Sequence, residues 1–205
     1  MGMVLGKITV ETPKFEVLQS STDYEIRKYS SSVVAEVTYD PSEFRGNPDG
    51  GFTVLANYIG VLGKPQNTKP EKIAMTAPVI TQTSETTAEK IAMTAPVVTK
   101  SGGDGEKKMV AMQFVLPSKY TKAEEAPKPT DERVVIKEEG ERKYGVVKFS
   151  GVATDKVVNE KAEKLKQSLE RDGYTITGKF LLARYNPPWL TLPPLRTNEV
   201  MFPIE

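Results

Sequence analysis

Tyr58, Lys64, Tyr185 and the glutamates are the residues left to hold or move a proton, because the 205-residue chain has no histidine and no cysteine. Those two absences exclude Ser-His-Asp and Cys-His hydrolysis, histidine general bases, and zinc sites built on thiolates or imidazoles. Two carboxylates could still share acid–base work if a cleft held them. The acidic runs Glu124–Glu125 and Glu138–Glu139–Glu141 sit among polar loop residues and read as solvated surface. Met75 and Met93 are soft, polarizable side chains that far more often fill a core than ligate a metal. The residues alone point to binding by shape and contact before they point to a reaction.

Met75 and Met93 belong to the most distinctive feature of the chain. EKIAMTAPVIT at residues 71–81 returns as EKIAMTAPVVT at 89–99, an offset of 18. An even offset points the same side chains to the same face if both copies are strands. Ile73, Met75 and Ala77 would then share a face, matched by Ile91, Met93 and Ala95. Pro78 and Pro96 would interrupt the ladder at one end. Two copies of so short a unit do not make a solenoid. A lengthened hairpin is the simplest expectation.

Just before the first copy, residues 52–60 (FTVLANYIG) read as a helix. Phe52, Leu55, Ala56 and Ile59 fall on one face; Val54 and Tyr58, with Val61, fall on another. A helix apolar on both sides must be covered on both. A sheet can cover one. The other needs more protein or a bound apolar ligand.

The remaining elements must position this helix. Strands are expected at 24–29, 33–39, 109–116, 133–138, 144–149, 174–185 and about 198–204, besides the repeats. Loops are expected at 41–51, 100–107, 118–132 and 186–194. The clearest helix is 155–172. Thr154 suits the N-cap, Val158, Ala162, Leu165 and Leu169 form its stripe, and Gly173 suits the C′ position. The order reads as two β-β-α-β-β halves, about 14–100 and 108–205, in one domain. The fold class is α+β: an antiparallel sheet curled on itself with two helices against it.

Lys and Arg total 28 against 27 Asp and Glu, a net charge of +1 that draws the chain to neither nucleic acid nor an anionic membrane. No apolar stretch is long enough to span a bilayer. The first residues lack the pattern of a signal peptide. A soluble, cytoplasmic protein is expected; protein partners and oligomeric state are not legible.

Seven phrases then add up in order: YEIRKY at 24–29, NYIG at 57–60, AMTAPV at 74–79, APKPTDERVVIKE at 126–138, FSG at 149–151, ARYNPPW at 183–189 and RTNEV at 196–200. Together they resemble the SOUL haem-binding protein family, especially its cytosolic plant members. The resemblance implies a distorted antiparallel β-barrel of about eight strands with two flanking helices. It is similar in architecture to bacterial effector-binding modules that take small ligands in a cleft. It also implies binding of haem and other tetrapyrroles in a shallow hydrophobic groove, as a carrier or buffer, with no catalysis and no structural metal. Phe52, Leu55, Ala56 and Ile59 match the family's groove helix. Ile73 and Met75 come from the AMTAPV segment, the first copy being favoured because it follows the helix directly. Trp189 and Arg196 lie near the other wall. Arg196, Lys64 or Arg45 would pair with propionates. No histidine can ligate iron here, so Tyr58, Met75 and Met93 are the candidates for weak axial ligation. The alternatives are a cofactor-free enzyme acting on a flat metabolite, and a ligand-sensing or protein-interaction module.

Overall fold

A computed structural model describes residues 10–47, 49–86, 107–187 and 191–205. The strands are β1 (Phe15–Ser20), β2 (Glu25–Tyr29), β3 (Ser32–Tyr39), β4 (Val79–Thr86), β5 (Lys107–Val115), β6 (Val134–Glu139), β7 (Arg142–Ser150), β8 (Leu181–Arg184) and β9 (Thr197–Pro203). The helices are α1 (Gly50–Ile59) and α2 (Asp155–Arg171). All nine strands join one antiparallel sheet in the order β1-β2-β7-β9-β8-β4-β5-β3-β6. Leaving β1 aside, the order reads the same from both ends once β2-β3-α1-β4-β5 is matched to β6-β7-α2-β8-β9. The pseudo-axis passes between β4 and β8, which pair through Val79↔Arg184 to Thr81↔Leu182. The expected α+β class and its β-β-α-β-β repeat are what the described residues build, curled into a distorted half-barrel, with β5 completing the first repeat.

Burial explains the strand sequences. β3 is flanked by β5 and β6, and its Val33, Val34, Ala35 and Val37 are all buried. Such a strand must be apolar on both faces. β9, between β7 and β8, is likewise buried from Asn198 to Phe202. Three core clusters follow. One lies around α1 and includes Leu55, Tyr58, Ile59 and Met112. A second lies around α2, with Val158, Ala162, Leu165 and Leu169 on the expected stripe. A third, with Tyr29, Tyr144, Tyr185 and Met201, joins the halves. The Thr154 hydroxyl accepts from the Val157 amide at the start of α2, and Gly173 takes φ +85° at its end, both as the sequence indicates.

The described residues form nine strands, in keeping with the expected distorted barrel; β1 is exposed along its length and so carries no burial pattern to read. Two expectations need correction. Residues 71–78 are not a strand. The amide of Ile73 donates to Ile59 O at 3.0 Å and that of Ala77 to Glu11 O at 3.0 Å, so their bonds go to the end of α1 and to the segment before β1 instead of a ladder. Ile73 therefore joins the α1 cluster while Ala77 joins the central one. β4 begins only after Pro78. The strand expected over 174–185 is reduced to β8, with a single bridge from Ile176 to Ile204 ahead of it. The second repeat copy, with Met93, lies outside the described residues.

A buried polar network crosses the central cluster. Arg27 on β2 is 6% exposed and Glu199 on β9 is 3% exposed. Arg27 Nη1 donates to Glu199 Oε1 at 2.9 Å and to the Tyr29 hydroxyl at 3.2 Å, and Nε donates to Glu25 Oε2 at 2.7 Å. The Tyr185 hydroxyl donates to Glu199 Oε2 at 2.6 Å. Burial opposes the guanidinium's charge, but Glu199 and Tyr29 outweigh it and raise its pKa. Burial, then the charge of Glu199, pushes the Tyr29 phenol up from 10.0 to about 12 and Tyr185 higher still.

Removing one partner strands the other charge, so Arg27→Ala should cost about 3–5 kcal/mol in urea unfolding. Tyr185→Phe should cost about 1.5–3 kcal/mol, the worth of a hydrogen bond to a charged group. Both phenols keep their protons where unfolded tyrosine ionises. Stability that is complete below pH 10 is therefore lost as the pH rises toward 12 and beyond. Tyr185→Phe should flatten that alkaline loss in unfolding midpoints.

Candidate functional site

α1 starts against the sheet because two glycines let it. A Cβ on Gly51 would lie 2.3 Å from Tyr39 Cε1 and 2.9 Å from Val37 Cγ1, and one on Gly50 would lie 2.1 Å from Phe44 Cγ. The first turn is thereby set so that Asp49 and Phe52 reach a surface cleft. The Phe52 ring packs on Phe114 with centroids 5.4 Å apart and stays partly exposed. The segment before β4 supplies Met75, Thr76 and Ala77, fixed by the Thr76 hydroxyl donating to Val115 O. Val79 and Met112 line the floor. The opposite wall is the end of β8 and the turn after it: Arg184, Tyr185, Asn186 and Pro187. The space enclosed is about 250 Å³.

The polar groups of this cleft are few and fixed. Arg184 Nη1 donates to Asp49 Oδ1 at 2.5 Å, tying the two walls together. Asn186 Oδ1 accepts from the Thr197 amide at 2.7 Å. Arg184 Nε and Asn186 Nδ2 are buried with no hydrogen-bond partner.

Of the residues expected at a groove, Phe52 and Met75 line this cleft. Leu55, Ile59 and Ile73 are instead buried in the α1 core cluster and Ala56 is buried as well, 4% exposed at most. The helix stripe faces the sheet over its later turns and emerges only at its first. Tyr58 is also buried; its hydroxyl donates to Pro127 O at 2.8 Å. On the second apolar face of α1, Val54 and Tyr58 are buried, Tyr58 under the loop ahead of β6, while Val61 stays exposed. Burial pushes the Tyr58 phenol up. Lys64 and Arg45 are exposed and Arg196 Nε donates to Thr191 O at 3.0 Å; none of the three lines the cleft. Trp189 lies outside the described residues. Arg184, Asn186 and Met112 were missed. The polar pair flanks Tyr185 within ARYNPP, and a charged and an amide residue bracketing a buried aromatic was the available signal.

The sequence model of the SOUL heme-binding protein family matches residues 10–89 and 82–203. The chain belongs to the SOUL haem-binding family. The first matched segment runs from β1 to β4 and the second takes in β5 to β9. No curated protein sequence matches the chain. Among solved structures, the C-terminal domain of EcmrR is similar with TM-score 0.54 at 14% identity, covering 89% of this chain and 98% of that one. An uncharacterized conserved protein from Listeria innocua has TM-score 0.56 at 13% identity, over 89% and 92%. A hydrolase from Listeria innocua has TM-score 0.53 at 13% identity, over 92% and 94%. At these identities the likeness concerns the fold alone. Among the described residues there is no group of three or more metal-ligating acidic side chains and no helix long and apolar enough to cross a membrane.

Gly51→Ala should drive α1 off Tyr39 and move Phe52 with it. Its expected cost is about 1–3 kcal/mol, the range for overpacking, despite alanine's better helix propensity. Thermal unfolding of the variant checks it.

Proposed function

We propose that this SOUL protein binds haem and related tetrapyrroles in the cleft between α1 and the β8 turn, as a carrier or buffer. The observation that carries the reading is the partly exposed Phe52 at the mouth of an apolar wall of Met75, Val79 and Pro187. An aromatic ring at that place can stack on a flat ligand. Family membership supplies the ligand class. The enclosed space falls below the ~300–1,000 Å³ of sites that surround a drug-sized ligand. A tetrapyrrole would therefore be gripped at one side and left partly open, as a shallow groove implies. Covering roughly 200 Å² of ring is worth about 5 kcal/mol.

Iron need not contribute. Met75 is the thioether at the mouth, and Tyr58 is spent on Pro127. The same accounting favours binding over catalysis. Of the expected proton carriers, Tyr185 reaches the cleft, but its hydroxyl is committed to Glu199 and its phenol is pushed up. A cytoplasmic carrier is the setting that goes with this reading.

Paired absorbance titrations with haem and metal-free protoporphyrin test it. One-to-one binding of both, with Phe52→Ala weakening both about tenfold, is the expected outcome. Binding of haem alone would mean that iron ligation supplies the affinity. Binding of neither would end the reading.

A further inference from the structure

Two residues that line the cleft each carry a buried donor that the fold leaves without an acceptor. Asn186 is 8% exposed, and its amide cannot be turned over to satisfy itself. Oδ1 already accepts from the Thr197 amide at 2.7 Å, so Nδ2 is the group left unpaired. Its backbone is held as well, because the neighbouring Tyr185 amide donates to Thr197 O at 3.1 Å. Two residues back, Arg184 is tied to Asp49 through Nη1, yet its buried Nε has no partner. Both residues line the same cleft. Burying a donor without an acceptor is unfavourable, and an acceptor brought by a ligand would relieve it. Asp49 is the one carboxylate among the described lining residues, and it is already engaged by Arg184. What is missing is an acceptor with two oxygens, and charge would strengthen both bonds.

We propose that Arg184 and Asn186 form a carboxylate-binding subsite in the cleft, so that its ligand is a flat apolar acid and not a neutral ring. This deepens the proposed tetrapyrrole binding and rests on it for the ring. The subsite replaces Arg196, Lys64 and Arg45, the cations expected from the sequence, which lie off the cleft.

Fluorescence titration in dilute detergent with mesoporphyrin and its dimethyl ester tests the subsite. The diacid should bind the wild type at least about tenfold more tightly than the diester. Asn186→Asp keeps the oxygen that accepts from Thr197 but turns the free donor into a negative charge. It should weaken the diacid about tenfold more than it weakens the diester. Circular dichroism reports that the variant is folded. Arg184→Lys keeps a charge for Asp49 but removes Nε, and should act in the same direction. Equal wild-type binding of acid and ester overturns the subsite. So does a loss in Asn186→Asp that falls on both ligands alike. If neither porphyrin binds, the tetrapyrrole reading fails, and 1-pyrenebutyrate against its methyl ester decides the subsite separately. A preference for the acid that Asn186→Asp abolishes upholds it; absence of that preference overturns it.

Discussion

One wall of the cleft is tied through Tyr185 to a buried ion pair that does not line it. Arg27 and Glu199 sit across the strand between them, β7, and both are nearly dry. Two charges taken out of water are costly unless their remaining hydrogen-bonding positions are filled. Here they are: Glu25 and Tyr29 take further donors of Arg27, Tyr185 fills the second oxygen of Glu199, and the Phe15 ring lies 4.4 Å from the Arg27 carbon. The network fixes where β2 stands relative to β9. It also turns the Tyr185 hydroxyl into the core. Arg184, Tyr185 and Asn186 all line the cleft, and Tyr185 is the one whose hydroxyl is committed to Glu199.

The duplicated topology does not give duplicated sites. The first turn of α1 is opened by a glycine pair and leads to Phe52, Met75 and an apolar wall. The opening beside the first turn of α2 is lined instead by Asp155, Asn159, Lys179 and Arg184 along with Phe180 and Leu182. The α2 stripe is fully used in packing, since Val158, Ala162, Leu165 and Leu169 are all buried. The halves share their framework, and the chemistry of each opening is set by a handful of residues at the start of its helix and on the strand opposite. That division is general: a fold supplies positions, and the side chains at them decide function.

Elements that are half-buried over their whole length were legible, because burial imposes a period. α2 showed its cap, its stripe and its terminal glycine; β3, β6 and β7 showed their apolar runs. β1 was invisible because solvent covers it evenly. The AMTAPV segment misled for a physical reason. Ile73, Met75 and Ala77 alternate as strand residues do, but alternation records which side chains are covered and not where the backbone donors go. Those donors go to Ile59 and Glu11. The two-sided helix was read correctly as needing two covers. Whether the second cover was protein or ligand depended on Pro127, distant in sequence. Near the cleft, Phe52 and Met75 were legible by family position, whereas choosing Arg184 over Arg196 required knowing which strand end faces α1.

A cleft that encloses only part of its ligand must obtain selectivity from a few fixed groups. Ring contact is non-directional and would accept many flat molecules. Donors held before the ligand arrives need no reordering on binding, so their contribution is not eroded by entropy. Asn186 is held by Thr197 on one side and Arg184 by Asp49 on the other. On the proposed reading, anchoring of this kind would leave most of the ring accessible to solvent.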